Sequence, residues 1–273
     1  RHFLALEAEN NLPYPALPEA ARAALDKGFI CDMFEGHAPY KPRYVLPDYA
    51  TFLAKGSEWL ELEGAKDLDD ALSLLTILYH HVPSVTSMPV YLGHLDALLQ
   101  PYVRILTQEA IDSRIKRFWR YLDRTLPDAF THVNIGPADT PITRAILRAD
   151  AELKQAAPNL TFIYDPDVTP DDLLLEVAKN ICECSKPHIS HGPVNDKIFT
   201  KGRYGIVSCY NSLPLAGGGS TLVRLNLRAI AEHSTSPDDF FTRMLPHYCQ
   251  QQIAIIDARC AFLYQQSGFF ENS

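Results

Sequence analysis

The sequence predicts an α/β protein built on parallel strands. Strand-like and helix-like apolar patterns alternate through its second half, the order that sets parallel strands side by side with helices as crossovers. The strand candidates, such as "AFTHVNIGP" and "NLTFIYDP", are short apolar runs closed by glycine or proline. The composition supports a sizeable core, since 47% of the 273 residues are hydrophobic and only 21% are charged.

The elements follow in order. The first forty-odd residues are punctuated by Pro13, Pro15, Pro18, Pro39, Pro42 and Pro47. Among them "PEAARAALDKG" reads as a helix with Pro18 near its start and Gly28 as its stop. The remainder, including "DMFEGHAPYKPRYVLPDY", is expected to run extended around a larger body. "DLDDALSLLTILYHHV" carries Leu68, Leu72, Leu75 and Tyr79 on one helical stripe, and Pro83 should end it. "GHLDALLQPYV" and "TQEAIDSRIKRFWRYLDRTL" read as two more helices. "TPITRAILRADAELKQAAP" is a helix capped by Thr140 with Pro141 at its first position. After the "NLTFIYDP" strand come the helix "TPDDLLLEVAKNICECS", the strand "YGIVSCY", and "STLVRLNLRAIAEH", which passes from strand to helix. A last helical stretch carries Pro246 as a kink or break.

Charge and cysteine content narrow the function classes. A formal net charge of −8 leaves no basic footprint for nucleic acid or an anionic membrane. No apolar run reaches the roughly 18 residues of a membrane span. The opening "RHFLALEAENNLPYP" has no signal-peptide pattern and no initiator Met, so residues upstream are expected. Six cysteines in 273 residues are too few for a secreted disulfide framework, and a reducing cytoplasm is the expected setting.

Several motifs invite chemistry. Cys182 and Cys184 are two apart in a helix, about 200° around it, and no second pair completes a metal site, so they read as structural. His80 and His81 lie at a helix end, where cations are favoured anyway. "AGGGST" precedes an apolar alternation rather than a helix and has no following lysine, unlike a phosphate loop. "KPHISHGPVNDKIF" gathers His188, His191, Asn195 and Asn-adjacent Asp196 in a loop, either lining a pocket or satisfying loop backbone. Cys209 ends the apolar run of "YGIVSCY", and taken alone it reads as a buried core cysteine.

The words around Cys209 say more. "VPSVTSMPVYLGHLDALLQPY", "ICECSKPHISHGPVNDKIFTKG" and "GIVSCYNSLPLAGGGSTLVRLNL" closely resemble the YjjI-type glycine radical enzyme family, relatives of pyruvate formate-lyase and anaerobic ribonucleotide reductase. The resemblance runs along essentially the whole chain. It implies a portion of an α/β barrel of two half-barrels of parallel strands wrapped by helices. It also implies one incomplete domain over 1–273, mainly helical in 1–130, with the cysteine-bearing half-barrel in 131–273. Cys209 becomes the thiyl position, and His188, Asn195, Asp196 and Asn211 become candidate substrate-binding residues. The expected partners are a small substrate and a radical-activating enzyme, with no nucleic acid or membrane, and a homodimer is compatible with the family.

The family's Arg-Val-x-Gly-Tyr motif is not found before the closing "FFENS". The expectation is therefore an N-terminal portion that binds no cofactor directly. Its glycyl radical would sit in a C-terminal region and be installed by an S-adenosylmethionine iron–sulfur activase. Ser208 and Tyr210 flank Cys209, so the paired cysteines of pyruvate formate-lyase are absent, as is the basis for acyl transfer through them. The rival expectation is a non-catalytic fragment that docks on a radical-bearing chain.

Overall fold

The computed structural model describes residues 16–32, 44–85, 90–125, 130–199, 202–207, 211–215 and 218–266. Most of the expected extended N-terminal wrap (33–43), part of the glycine loop (216–217) and Cys209 lie outside these. The chain divides into two compact units, one made of 1–43, 85–87 and 219–273 and the other of 44–84 and 88–218.

The larger unit is a parallel sheet with helical crossovers. Its elements are α1 (Tyr49–Lys55), α2 (Leu68–Val85), β1 (Tyr91–His94), α3 (Leu95–Leu99), α4 (Gln108–Thr125), β2 (His132–Ile135), α5 (Pro141–Leu153), β3 (Asn159–Tyr164), α6 (Asp171–Cys184), β4 (His188–His191), α7 (Gly192–Ile198), β5 (Tyr204–Val207) and β6 (Asn211–Pro214). Strands β1 to β4 lie in sequence order, all parallel. The mixed α/β expectation with parallel neighbours holds.

Local chemistry sets these boundaries. Thr140 caps α5 as expected, its hydroxyl accepting the Thr143 N–H at 3.0 Å. The apolar stripe Ile111, Ile115, Phe118, Trp119 and Leu122 buries α4 against α5. Strands β2 and β3 are buried almost throughout, as parallel strands covered on both faces must be.

Four expectations are corrected. "VYLGH" is strand β1, with Val90, Tyr91 and Leu92 at most 1% exposed, whereas the helix begins only at Leu95. Burial on both faces removes the alternation by which a strand is recognised. One extra residue between the Tyr91↔His132 and His94↔Asn134 pairs makes a bulge, and Gly93 supplies the positive φ of 85° found there. The expected loop at "HISHGPVNDKI" is instead edge strand β4 followed by helix α7. Its alternation was polar, as suits a sheet edge, and Pro193 fits the first helical turn. The "YGIV" strand does not join the parallel sheet, because β5 pairs antiparallel with β6. Finally, Pro83 does not end α2, which runs two residues further.

In the smaller unit, Ile30–Asp32 pairs antiparallel with Val223–Leu225. Helix Glu19–Asp26 packs on helix Leu245–Ala261 around Ala21, Ala24, Ile30, Val223 and Ile255. Gly28 follows the first helix as expected, and Asn226 caps the helix after the second strand by accepting the Ala229 N–H at 3.1 Å. Pro246 stands where a π-helical turn, Phe240–Met244, gives way to the α-helix. Arg259, 1% exposed, donates to the Thr221 hydroxyl at 2.8 Å and the Leu222 carbonyl at 3.2 Å.

Candidate active site

A cavity of about 550 Å³ opens at the carboxyl ends of the parallel strands, where α/β folds hold their ligands. His94, Gly136, Asp165 and Gly192, at or just after the ends of β1 to β4, form one side. The start of α1 (Asp48, Tyr49, Ala50), the approach to β5 (Arg203, Tyr204) and Asp196 of α7 complete it.

The inner wall is a hairpin fastened across the sheet. Strand β5 is buried along its whole length and packs on β1 and β2. His94 Nε2–H donates to the Tyr204 carbonyl at 2.7 Å. Asn134, fully buried in the middle of β2, accepts the Ile206 N–H on Oδ1 at 2.8 Å. Its Nδ2 donates to the Ile206 carbonyl at 3.0 Å. The Tyr91 hydroxyl donates to the same Oδ1 at 3.2 Å. Between these two grips, a Cβ on Gly205 would come 2.5 Å from Cζ of the Tyr91 ring, so only glycine lets the strand pass this close. Tyr91 is held in turn by its own carbonyl, which accepts from the Tyr49 hydroxyl.

The site's titratable groups are shaped by burial. Burial raises the Tyr204 phenol, the Asp196 carboxylate raises it further, and a hydrogen bond with Asn195 opposes them. Tyr204 therefore meets the cavity as a protonated hydroxyl. Burial likewise raises the Tyr91 and Tyr49 phenols. Asp48, the cap of α1, is lowered first by the Thr51 N–H, with a smaller contribution from Arg203.

Asp96, directly behind the cavity wall, is 2% exposed. Its carboxylate accepts the Gly136 N–H at 2.7 Å, the Thr143 hydroxyl at 2.8 Å and the Ala97 N–H at 2.8 Å. Burial nevertheless dominates and holds its carboxyl above the ordinary range. The folded state then binds this proton at a pH where the unfolded chain has released it. Stability from this group is present at low pH and lost as pH rises through the window just above the ordinary carboxylate range. The urea midpoint of wild type relative to Asp96→Asn should fall with rising pH across that window. A pH-independent difference would show that the carboxylate is not perturbed.

The residues named from sequence fall as follows. Val207 pairs with Asn211, and Cys209, between them in the chain, lies outside the described residues. Asp196 lines the cavity. Asn195 is buried with its amide committed, Nδ2 donating to Ser190 Oγ at 3.0 Å and the His191 carbonyl at 3.2 Å. Its Oδ1 accepts from Ser212 Oγ at 2.7 Å, so it ties β6 to β4. His188 starts β4, half-buried, its imidazole pushed down by burial and then by Lys186. Asn211 is exposed on the return strand. Tyr91, His94, Asn134, Asp165, Arg203 and Tyr204 were not anticipated, and the one sequence signal for them is a lone Asn between apolar neighbours in "HVNI".

Cys184 has a structural place, its thiol donating to Asp150 Oδ2 at 3.3 Å, while Cys182 is exposed. Among the described residues no cluster of His, Cys, Asp or Glu is arranged to hold a metal, and no helix is long and apolar enough to cross a membrane.

Comparison with known proteins agrees with this architecture. The chain is 89% identical over 273 residues to the YjjI protein of Escherichia coli (strain K12), covering 100% of this chain and 53% of that protein. It is 43% identical over 252 residues to a protein of Haemophilus influenzae (strain ATCC 51907 / DSM 11121 / KW20 / Rd), covering 91% and 48%. The chain thus spans about half the length of the curated relatives it matches. Its fold is similar to the anaerobic ribonucleotide reductase from Thermotoga maritima with citrate in the active site, with TM-score 0.71, 15% identity, and 91% of this chain and 54% of that one covered. It is also similar to the glycerol-bound B12-independent glycerol dehydratase from Clostridium butyricum, with TM-score 0.57, 18% identity, and 72% and 33% covered. The family model for the YjjI-like glycyl radical enzymes matches residues 1–273, and the chain belongs to that family.

Proposed function

We propose that this chain carries the hydrogen-abstracting cysteine of an anaerobic, cytoplasmic glycyl radical enzyme acting on a small molecule. The observation that carries the reading is the β5–β6 hairpin. Its paired strands flank Cys209 in the chain, and β5 is fastened over the parallel sheet on the wall of the carboxyl-end cavity. A radical relay needs a site closed to water and stray thiols, and β5 fits that demand, being buried with Tyr204 as its one ionisable side chain. The glycyl radical, on a glycine outside these residues and installed by an S-adenosylmethionine iron–sulfur activase, supplies a carbon centre able to accept a hydrogen atom.

In this reading the Cys209 S–H bond breaks and its hydrogen atom passes to that carbon, leaving the unpaired electron on sulfur. The sulfur then takes a hydrogen atom from a substrate C–H bond, and the atom returns at the end of the cycle, so the relay itself consumes no oxidant or reductant. Asp196 and Tyr204 line the cavity, and in this reading they would meet a substrate bound there, Tyr204 as a protonated phenol. His188, Asn195 and Asn211 do not line the cavity, and Asn195 acts by holding the hairpin to β4.

Anaerobic treatment of the full-length protein with its activase and S-adenosylmethionine should give a glycyl radical signal in electron paramagnetic resonance. A full-length protein that forms no radical under conditions where a known glycyl radical enzyme and its own activase do so would favour the docking role instead.

A further inference from the structure

We infer that Asn134 is a positioning residue for the Cys209 hairpin, its carboxamide standing in for the neighbouring strand that β5 lacks. The inference rests on the proposed role of Cys209 and deepens it. Burying a carboxamide in a central strand is costly unless its polar atoms are paired. Here they are paired with one residue: Asn134 Oδ1 takes the Ile206 N–H and Nδ2 meets the Ile206 carbonyl, at 2.8 and 3.0 Å. The side chain presents the donor and acceptor of a peptide group, so β5 crosses the sheet without joining it and leaves no unpaired main-chain group at Ile206 on that side.

Consecutive residues of β5 are each met by a different side chain of the sheet. His94 holds the Tyr204 carbonyl, the Tyr91 ring fills the space where Gly205 has no Cβ, and Asn134 holds Ile206. The bulge at Gly93 sets His94, and the Tyr91 hydroxyl braces the Asn134 carboxamide. A slip of β5 by one residue would break all three contacts together. Cys209 follows Ile206 by three residues in the chain, so a shift at this clamp would be passed on to it. Hydrogen-atom transfer demands close approach, and a misplacement of about 1 Å is worth roughly a hundredfold in rate.

The test needs neither substrate nor radical. Full-length protein, kept anaerobic and not activated, is treated with iodoacetamide, and modification is followed on the tryptic peptide from Tyr204 to Arg224, whose only cysteine is Cys209. Exposed Cys31 serves as the internal reference. In wild type Cys209 should react far more slowly than Cys31. Asn134→Ala, which loses both hydrogen bonds, should raise the Cys209 rate by roughly tenfold or more. Asn134→Asp sets a second acceptor against the Ile206 carbonyl in a buried site, and it should raise the Cys209 rate at least as much as Asn134→Ala. Amide hydrogen exchange across α5 should stay at its wild-type rate in both variants, which separates release of the hairpin from general unfolding. Wild-type modification rates in both variants would overturn the clamp and leave the role of Cys209 standing. Faster exchange throughout α5 would also overturn it, reducing Asn134 to a core residue. Wild-type Cys209 reacting as fast as Cys31 would instead overturn the buried-thiol reading beneath it.

Discussion

Replacing Lys186 by Met should loosen the packing of α5 on α6 by about 3–5 kcal/mol, the range found when one partner of a buried ion pair is removed. Asp150 of α5 is fully buried, and Lys186 is 7% exposed. Lys186 Nζ donates to Asp150 Oδ1 at 2.7 Å and to the Pro158 carbonyl at 3.1 Å. Trp119 Nε1 also donates to Oδ1 at 3.0 Å, and Asn180 Nδ2 to Oδ2 at 3.2 Å. The carboxylate therefore joins α4, α5, α6 and the turn into β4. Methionine keeps most of the lysine's bulk but leaves the negative charge with neutral donors alone. Amide exchange of α5 in the full-length protein should accelerate about a hundredfold or more. The double variant Asp150→Asn/Lys186→Met removes both charges while keeping an acceptor for Trp119, and it should recover part of the loss. A Lys186→Met variant with wild-type exchange would mean that the neutral donors suffice and the pair contributes nothing.

The helices around that network were legible because their signals are local. Thr140 and Pro141 mark the start of α5, and the stripe Ile111, Ile115, Phe118 and Leu122, at helical spacing, marks the buried face of α4. Strands β2 and β3 were legible because glycine and proline bound short apolar runs. Strand β1 was hidden because both its faces are buried, and β4 because a polar edge strand reads like a loop. The pattern "YGIV" announces a strand but not its partner, which is why the antiparallel hairpin was unforeseen.

The site was less legible still. Its parts come from widely separated segments of chain, and nothing in the spacing of Asp48, His94, Asn134, Asp165, Asp196 and Tyr204 says that they converge. Asp196 was named in advance and lines the cavity, but from its place in a polar cluster and not from geometry. Asn134 left only the trace of one amide in an apolar strand. For Cys209, residue-level reading gave a core thiol, and family resemblance alone gave it a role.

The central claim is that Cys209 relays a hydrogen atom to and from substrate. The direct test compares activated wild-type and Cys209→Ala full-length protein in an anaerobic small-molecule extract, following the extract by mass spectrometry and the radical by electron paramagnetic resonance. Both proteins should show the same glycyl radical signal, because radical installation does not require this thiol. Wild type should deplete a small molecule that Cys209→Ala leaves at its starting level. Cys209→Ser should fail in the same way, its O–H bond being too strong to exchange with the glycine. Cys184→Ser should remain active, since a hydroxyl can still donate to Asp150. Depletion of the same molecule by Cys209→Ala at the wild-type rate would contradict the claim.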